Sequence, residues 1–221
     1  MSSAEPAGFL YPFIDNEETD AASLLADLAR SAAGKWRQST DLRNATLAVL
    51  DGPIRAAGAA MAERVAAGGQ VFTMGNGGSA TDAEAFARLC TRPPRGIPVP
   101  ARSLVVDQAV LTALSNDVSF EVVFSRQLMA FAREDDVVVG FSTSGNSDNL
   151  MMAFAEARKR RLLTVGLAGY DGGRMGASDD VAHCLTVRSD SVHRIQESQS
   201  AVAHALWEAL QTELRQKGAA A

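Results

Sequence analysis

Apolar residues first recur at helical spacing: Leu24, Leu25, Leu28 and Ala32 fall three and four apart from about Asp20 onward. A second helical stretch runs from about Asp41 to Ala67 and carries Leu47, Leu50, Ile54, Ala57 and Met61. Pro53 lies inside it and predicts a kink or a break, because proline has no N–H to donate and its ring crowds the preceding turn. Beyond Gly69 the pattern changes to short apolar runs alternating with helical ones. QVFTMG, ARSLVV, DDVVVGFS, LLTVGLAG and DVAHCLTV predict five strands. AEAFARLC, DQAVLTALSND, EVVFSRQLMAFA and DNLMMAFAEARKR predict the helices between them. A last long helix runs from about Ser191 to Gln216, before an alanine-rich tail expected to fray. Strands alternating with helices predict a parallel sheet covered on both faces. The runs at 137–141 and 162–167 are apolar nearly throughout, as strands buried on both faces should be. The pattern divides the chain into an N-terminal arm and helix over 1–40 and one α/β domain over 41–217.

Composition agrees with this picture and excludes others. The chain has 221 residues, 47% of them hydrophobic, enough to bury a sizeable core. No run is long and apolar enough for a membrane-spanning helix, and the first twenty residues lack the basic-then-apolar order of a secretory signal. The formal net charge of −5 argues against a general nucleic-acid coat. Lys159, Arg160 and Arg161 read as a solvated helix end near its negative dipole terminus. Cys90 and Cys184 are far apart and in no CxxC pair, which fits reduced thiols in a cytoplasmic protein and no cysteine-based zinc site. Residues 1–16 set Phe9, Tyr11 and Phe13 among proline and glycine: a mobile arm, or one that packs on a partner subunit.

Two loops carry the chemistry. The strand at 71–74 empties into Gly75-Asn76-Gly77-Gly78-Ser79, and the strand at 137–141 into Ser142-Thr143-Ser144-Gly145-Asn146-Ser147. Both precede a helix, and both are built of small residues that let backbone N–H groups face inward. Such a turn at a helix N-terminus is an anion site, because unpaired N–H groups and the helix dipole favour negative charge. Hydroxyls of Ser142, Thr143, Ser144 and Ser147 add donors. Each loop alone has an ordinary alternative: a strand-to-helix turn for GNGGS, and an N-cap by Asn146 or Ser147 for STSGNS. Two such loops at the carboxyl ends of two buried strands point to one anion cradle. Neither loop has the GK[ST] of a Walker A motif, and GNGGSA lacks the third glycine of a dinucleotide fingerprint.

GNGGS, ALSND (113–117), GFSTSGNS (140–147), GLAGYDGG (166–173) and RIQES (194–198), in that order, resemble the sugar isomerase (SIS) fold. The chain is similar in particular to the sedoheptulose-7-phosphate isomerase group and its relative, the DnaA-initiator-associating protein, over roughly residues 40–215. The resemblance implies a flavodoxin-like, doubly wound, five-stranded parallel sheet with an N-terminal helical extension. It also implies a homotetramer with active sites where subunits meet. By the same resemblance Asn76, Gly77 and Gly78 contact substrate, with Ser79 beside them. Asn116 and Asp117 contact the sugar, Ser142, Thr143, Ser144 and Ser147 cradle its phosphate, and Gln196 and His204 match a zinc-ligand pair.

The departures are as informative. Where the isomerases carry a zinc-binding histidine and a glutamate that binds zinc and acts as base, this chain has Ala85 and Leu89, neither of which binds metal or moves a proton. The histidine often found just after GNGGS is Ala80, and an aspartate before RIQE is His193. Glu84 and Arg88 neighbour the missing side chains, but a helix turns about 100° per residue and points them elsewhere. Catalytic zinc usually has three protein ligands, and only Gln196 and His204 match here. His193, Glu197, Ser200 and His204 form one helical stripe, either a rebuilt acid–base set or a solvated face. His183 reads as structural. Two functions are therefore expected to compete: a phosphosugar isomerase with a changed catalytic set around His204, or a phosphosugar sensor or assembly factor that keeps the cradle without the base.

Overall fold

The computed structural model describes residues 21–219, so the expectations for residues 1–16 and for the last two alanines lie outside the described residues. The order is α1 (Ala21–Ala66), β1 (Val71–Gly75), α2 (Gly78–Thr91), β2 (Ala101–Ser103), α3 (Gln108–Asp117) and a single 3₁₀ turn (Phe120–Val122). Then come α4 (Val123–Phe131), β3 (Val137–Phe141), α5 (Asp148–Lys159), β4 (Leu163–Gly169), α6 (Gly173–Ala177), β5 (His183–Val187) and α7 (Val192–Ala219). All five strands are parallel, in the order β2-β1-β3-β4-β5.

Alternate residues of each central strand feed two separate cores, as the pleat requires. Val71, Val137, Val139, Phe141, Val165 and Leu167 pack on one face with Ile54, Met61, Phe86 and Trp207. Phe72, Met74 and Val138 pack on the other with Phe124, Leu128, Leu150 and Phe154. On this second face Gly140 sets how closely α5 approaches the sheet. A Cβ there would lie 2.5 Å from Phe154 Cζ and 3.1 Å from Met74 Cε.

By its internal contacts the chain divides between Thr40 and Asp41. Within residues 21–40, Leu24, Leu25, Leu28 and Trp36 are exposed. Within residues 41–66, Leu50, Ile54, Ala57, Met61 and Ala62 are buried against the sheet. The two helices expected from sequence are one assigned helix, and the break expected at Pro53 does not occur. Pro53 is exposed, and the carbonyl it fails to bond is that of Val49, which is 78% exposed. Water can satisfy that carbonyl while the opposite, buried face carries the helix through. β2 is shorter than ARSLVV predicts, and the short α6 was not anticipated.

Candidate functional site

β1 and β3 are neighbours, and their register sets Gly75 opposite Phe141. The chain therefore leaves both strands at the same height. To one side of β1 lies β2; to the other, β3, β4 and β5 follow in order. The strand order reverses between β1 and β3, and at such a switch point an open α/β sheet leaves a crevice. The GNGGS and STSGNS loops are the two that border it.

The first loop is held at both ends. Ser79 and Ala80 donate their backbone N–H groups to Asn76 and Gly77 carbonyls, each at 3.0 Å. Thr73 Oγ1 donates to the Ala83 carbonyl at 2.7 Å in the buried seam between β1 and α2. Gly78 has no room for a side chain: a Cβ would lie 2.3 Å from Gln196 Nε2. That close approach brings the Gln196 amide against the first residue of α2, where the resemblance implies a substrate contact. The Asn76 amide pairs reciprocally with Asn149, with both N–H···O distances 2.9 Å. Asn149 is buried in the first turn of α5, so this double bond ties the first loop to the second.

In the second loop the hydroxyls turn toward one another. Ser142 Oγ lies 3.1 Å from Ser147 Oγ and 3.4 Å from Ser144 Oγ, and it accepts from Gly145 N at 3.1 Å. Gln199, wholly buried on α7, donates to the Ser142 carbonyl at 3.3 Å. Ser147 is the N-cap of α5 but makes no side-chain capping bond. Asn146 instead accepts from Arg174 N at 2.9 Å. The ordinary N-cap explanation of STSGNS is thus not what the structure contains. Its hydroxyls gather at the start of α5 without being spent on the helix.

On α7, Ser200 Oγ donates to Asp82 Oδ1 at 2.8 Å, and Gln196 also hydrogen-bonds this carboxylate. Burial pushes the Asp82 carboxyl up from its ordinary value, against the opposing pull of the two hydrogen bonds. Its Oδ2 is buried with no hydrogen-bond partner among the described residues. A small hollow of about 250 Å³ is lined by His193, Gln196, Glu197 and Ser200. His204, at the far end of the expected stripe, opens elsewhere. It lines a groove of about 680 Å³ between α7 and the 47–55 stretch of α1, with Leu47, Asp51, Ile54 and Arg55. There its ring lies tilted beside Trp207, with centroids 5.3 Å apart, and its Nε2 is 3.5 Å from Glu208 Oε1, a carboxylate also held by Arg95.

The remaining expected residues are scattered. Asn116 donates to Asp117 Oδ1 at 2.8 Å, both exposed at the end of α3, and no hydrogen bond among the described residues joins them to either loop. Ala85 is exposed and Leu89 packs against the apolar core. Glu84 and Arg88 line a different hollow with Arg92 and Arg102. His183 is half-buried in β5, its pKa lowered by burial, as a structural histidine would be. Zinc does not fit the residues of one chain. Gln196 and His204 open onto separate hollows, Ala85 and Leu89 offer no donor, and among the described residues no three His, Cys, Asp or Glu side chains cluster. Asp82 and Asn149 could not be singled out from sequence, since what distinguishes each is a partner on another element.

Residues 36–169 match the SIS domain. The phosphoheptose isomerase of Campylobacter jejuni subsp. jejuni serotype O:6 is 42% identical over 160 residues, which cover 72% of this chain and 85% of that protein. That of Geobacter sulfurreducens is 45% identical over 148 residues, 65% of this chain and 76% of its own. The solved structure of phosphoheptose isomerase GmhA from Neisseria gonorrhoeae superposes with a TM-score of 0.78 at 34% identity, over 84% of this chain and 99% of that one. The sheet order, the two loops at its switch point and these likenesses agree, and the chain belongs to the SIS-domain family, within its phosphoheptose isomerase group.

Proposed function

We propose that this chain binds a phosphorylated sugar in the two-loop cradle and interconverts its aldose and ketose forms, with sedoheptulose 7-phosphate the substrate to test first. The observation that carries the reading is the pairing of the two loops. They leave adjacent strands in register, are bonded amide to amide through Asn76 and Asn149, and present the uncapped N-termini of α2 and α5 to one crevice. Two helix dipoles and the hydroxyls of Ser142, Thr143, Ser144 and Ser147 suit a phosphate there. We assign Asn76, Gly77, Gly78, Ser79 and Gln196 to the sugar, with Asn116 and Asp117, by the family resemblance.

The reaction moves a proton between neighbouring carbons through an enediol, so it needs a base at the carbon and an acid at the oxygen. His204 is our candidate for that exchange. Asp82, bonded to Gln196 beside the first loop with its carboxyl pushed up by burial, is a second group able to hold a proton. His204 opens onto a groove of its own rather than the cradle, which supports a site completed by a second copy of the chain. We accordingly take the assembly to be a homotetramer, the domain to span 41–217, and the protein to work in the cytoplasm. Sedimentation at four chain masses would test the first of these.

The decisive assay follows conversion of sedoheptulose 7-phosphate by the purified chain, with and without added zinc, beside calorimetry of its binding. Ser144→Asp places a negative charge in the cradle and should abolish binding; unchanged binding would refute the cradle assignment. His204→Ala should remove turnover while leaving binding largely intact. Binding without product under either condition would return the chain to the sensor alternative, which its relatives do not favour.

A further inference from the structure

The tip of the second loop is held from outside, by the first turn of α6. Arg174 donates its backbone N–H to Asn146 Oδ1 at 2.9 Å. Its Nη2 donates to the Asn146 carbonyl, and to Asp148 Oδ1 at 2.5 Å. The next residue, Met175, donates its N–H to the Gly145 carbonyl at 2.9 Å. One short segment therefore fixes residues 145, 146 and 148 on either side of Ser147.

Asp148 is the first residue of α5. A carboxylate there complements the helix dipole, but it also stands next in sequence to the Ser147 hydroxyl and would repel a phosphate bound at the cradle. We propose that Arg174 is a positioning residue of the cradle, which cancels the Asp148 charge and locks Asn146 so that the loop accepts a dianion. The inference rests on the phosphosugar reading above. An arginine suits the task because its one Nη2 carries two N–H donors and here meets a carbonyl and a carboxylate at once. The two side chains are 51% and 65% exposed, and pairs so exposed contribute little to folding, which leaves ligand affinity as the quantity they govern.

Calorimetry of sedoheptulose 7-phosphate on full-length variants tests this. Arg174→Ala should weaken binding about five- to tenfold, the scale of one uncompensated charge several ångströms away in a partly aqueous setting. Arg174→Lys should recover most of the loss. Adding Asp148→Asn to Arg174→Ala should restore affinity to within about twofold of wild type, a rescue that a purely structural arginine would not give. Asp148→Asn alone, which keeps the arginine, should bind more tightly than wild type and covers the case in which Arg174→Ala fails to fold. Equal affinity for wild type and Arg174→Ala, no rescue in the double variant, or no tightening in Asp148→Asn each overturns the proposal while the cradle stands. A wild type that binds no phosphosugar removes the cradle and this inference together.

Discussion

Asp82 sits in a place that costs the fold something. Its carboxyl is raised from the ordinary 3.8 mainly by burial, so the folded chain holds that proton more tightly than the unfolded chain does. The sign follows: stability falls as pH rises from about 4 through the folded value, and the deficit is complete once the group is ionised. Asp82→Asn keeps an oxygen for Ser200 and removes the charge. It should raise the melting temperature at pH 7, and the gain should shrink as melts are repeated toward pH 4. A gain that does not vary with pH would show that burial of the charge is not the cause. Asn149 presents the opposite case, a buried amide with a full partner. Asn149→Leu strands the Asn76 amide and should cost about 1–3 kcal/mol in urea unfolding, with phosphosugar affinity lost as well. Asn76, Gly78 and Ser142 stand in two small-residue loops that the sequence itself marks, whereas Gln196 was named only through the family resemblance. Asp82 and Asn149 were not legible in the sequence, because what distinguishes them is a partner on another element.

The elements themselves divide along the same line. Strands β1, β3 and β4 were legible because strands buried on both faces leave unbroken apolar runs, and here every residue of the three is buried. α5 and α7 were legible from periodicity. α6 was not: five residues that begin at Gly173 (φ +54°), directly after Gly172 (φ +103°), and end before Ser178 read as a turn. Pro53 was read correctly as a defect, but its surroundings were invisible, and those decide the outcome. The missing bond belongs to the carbonyl of an exposed residue, Val49, so the helix continues. Pro53→Ala should restore that bond and stabilise the chain by up to about 3 kcal/mol in chemical denaturation. No change, or a loss, would mean that proline's restriction of the unfolded chain outweighs the missing bond.

For the molecule as a whole, periodicity announces a parallel sheet but is silent on strand order; that came from the resemblance, carried by motifs rather than by hydrophobic pattern. The order matters because it makes β1 and β3 neighbours and so creates the crevice. It also leaves a mechanical dependence. α5 rests on the sheet through Phe154, over a glycine in β3 that has no side chain to hold it off. Gly140→Ala should cost about 1–3 kcal/mol through overpacking, measured by denaturation. Its second effect is the more telling. α5 is a rigid rod whose first turn follows the STSGNS loop, and a methyl group beneath it acts as a shim, lifting the rod and opening the gap to the GNGGS loop. A random screen for variants that fold yet no longer hold phosphosugar should therefore return position 140, a residue that no bound sugar would ever touch.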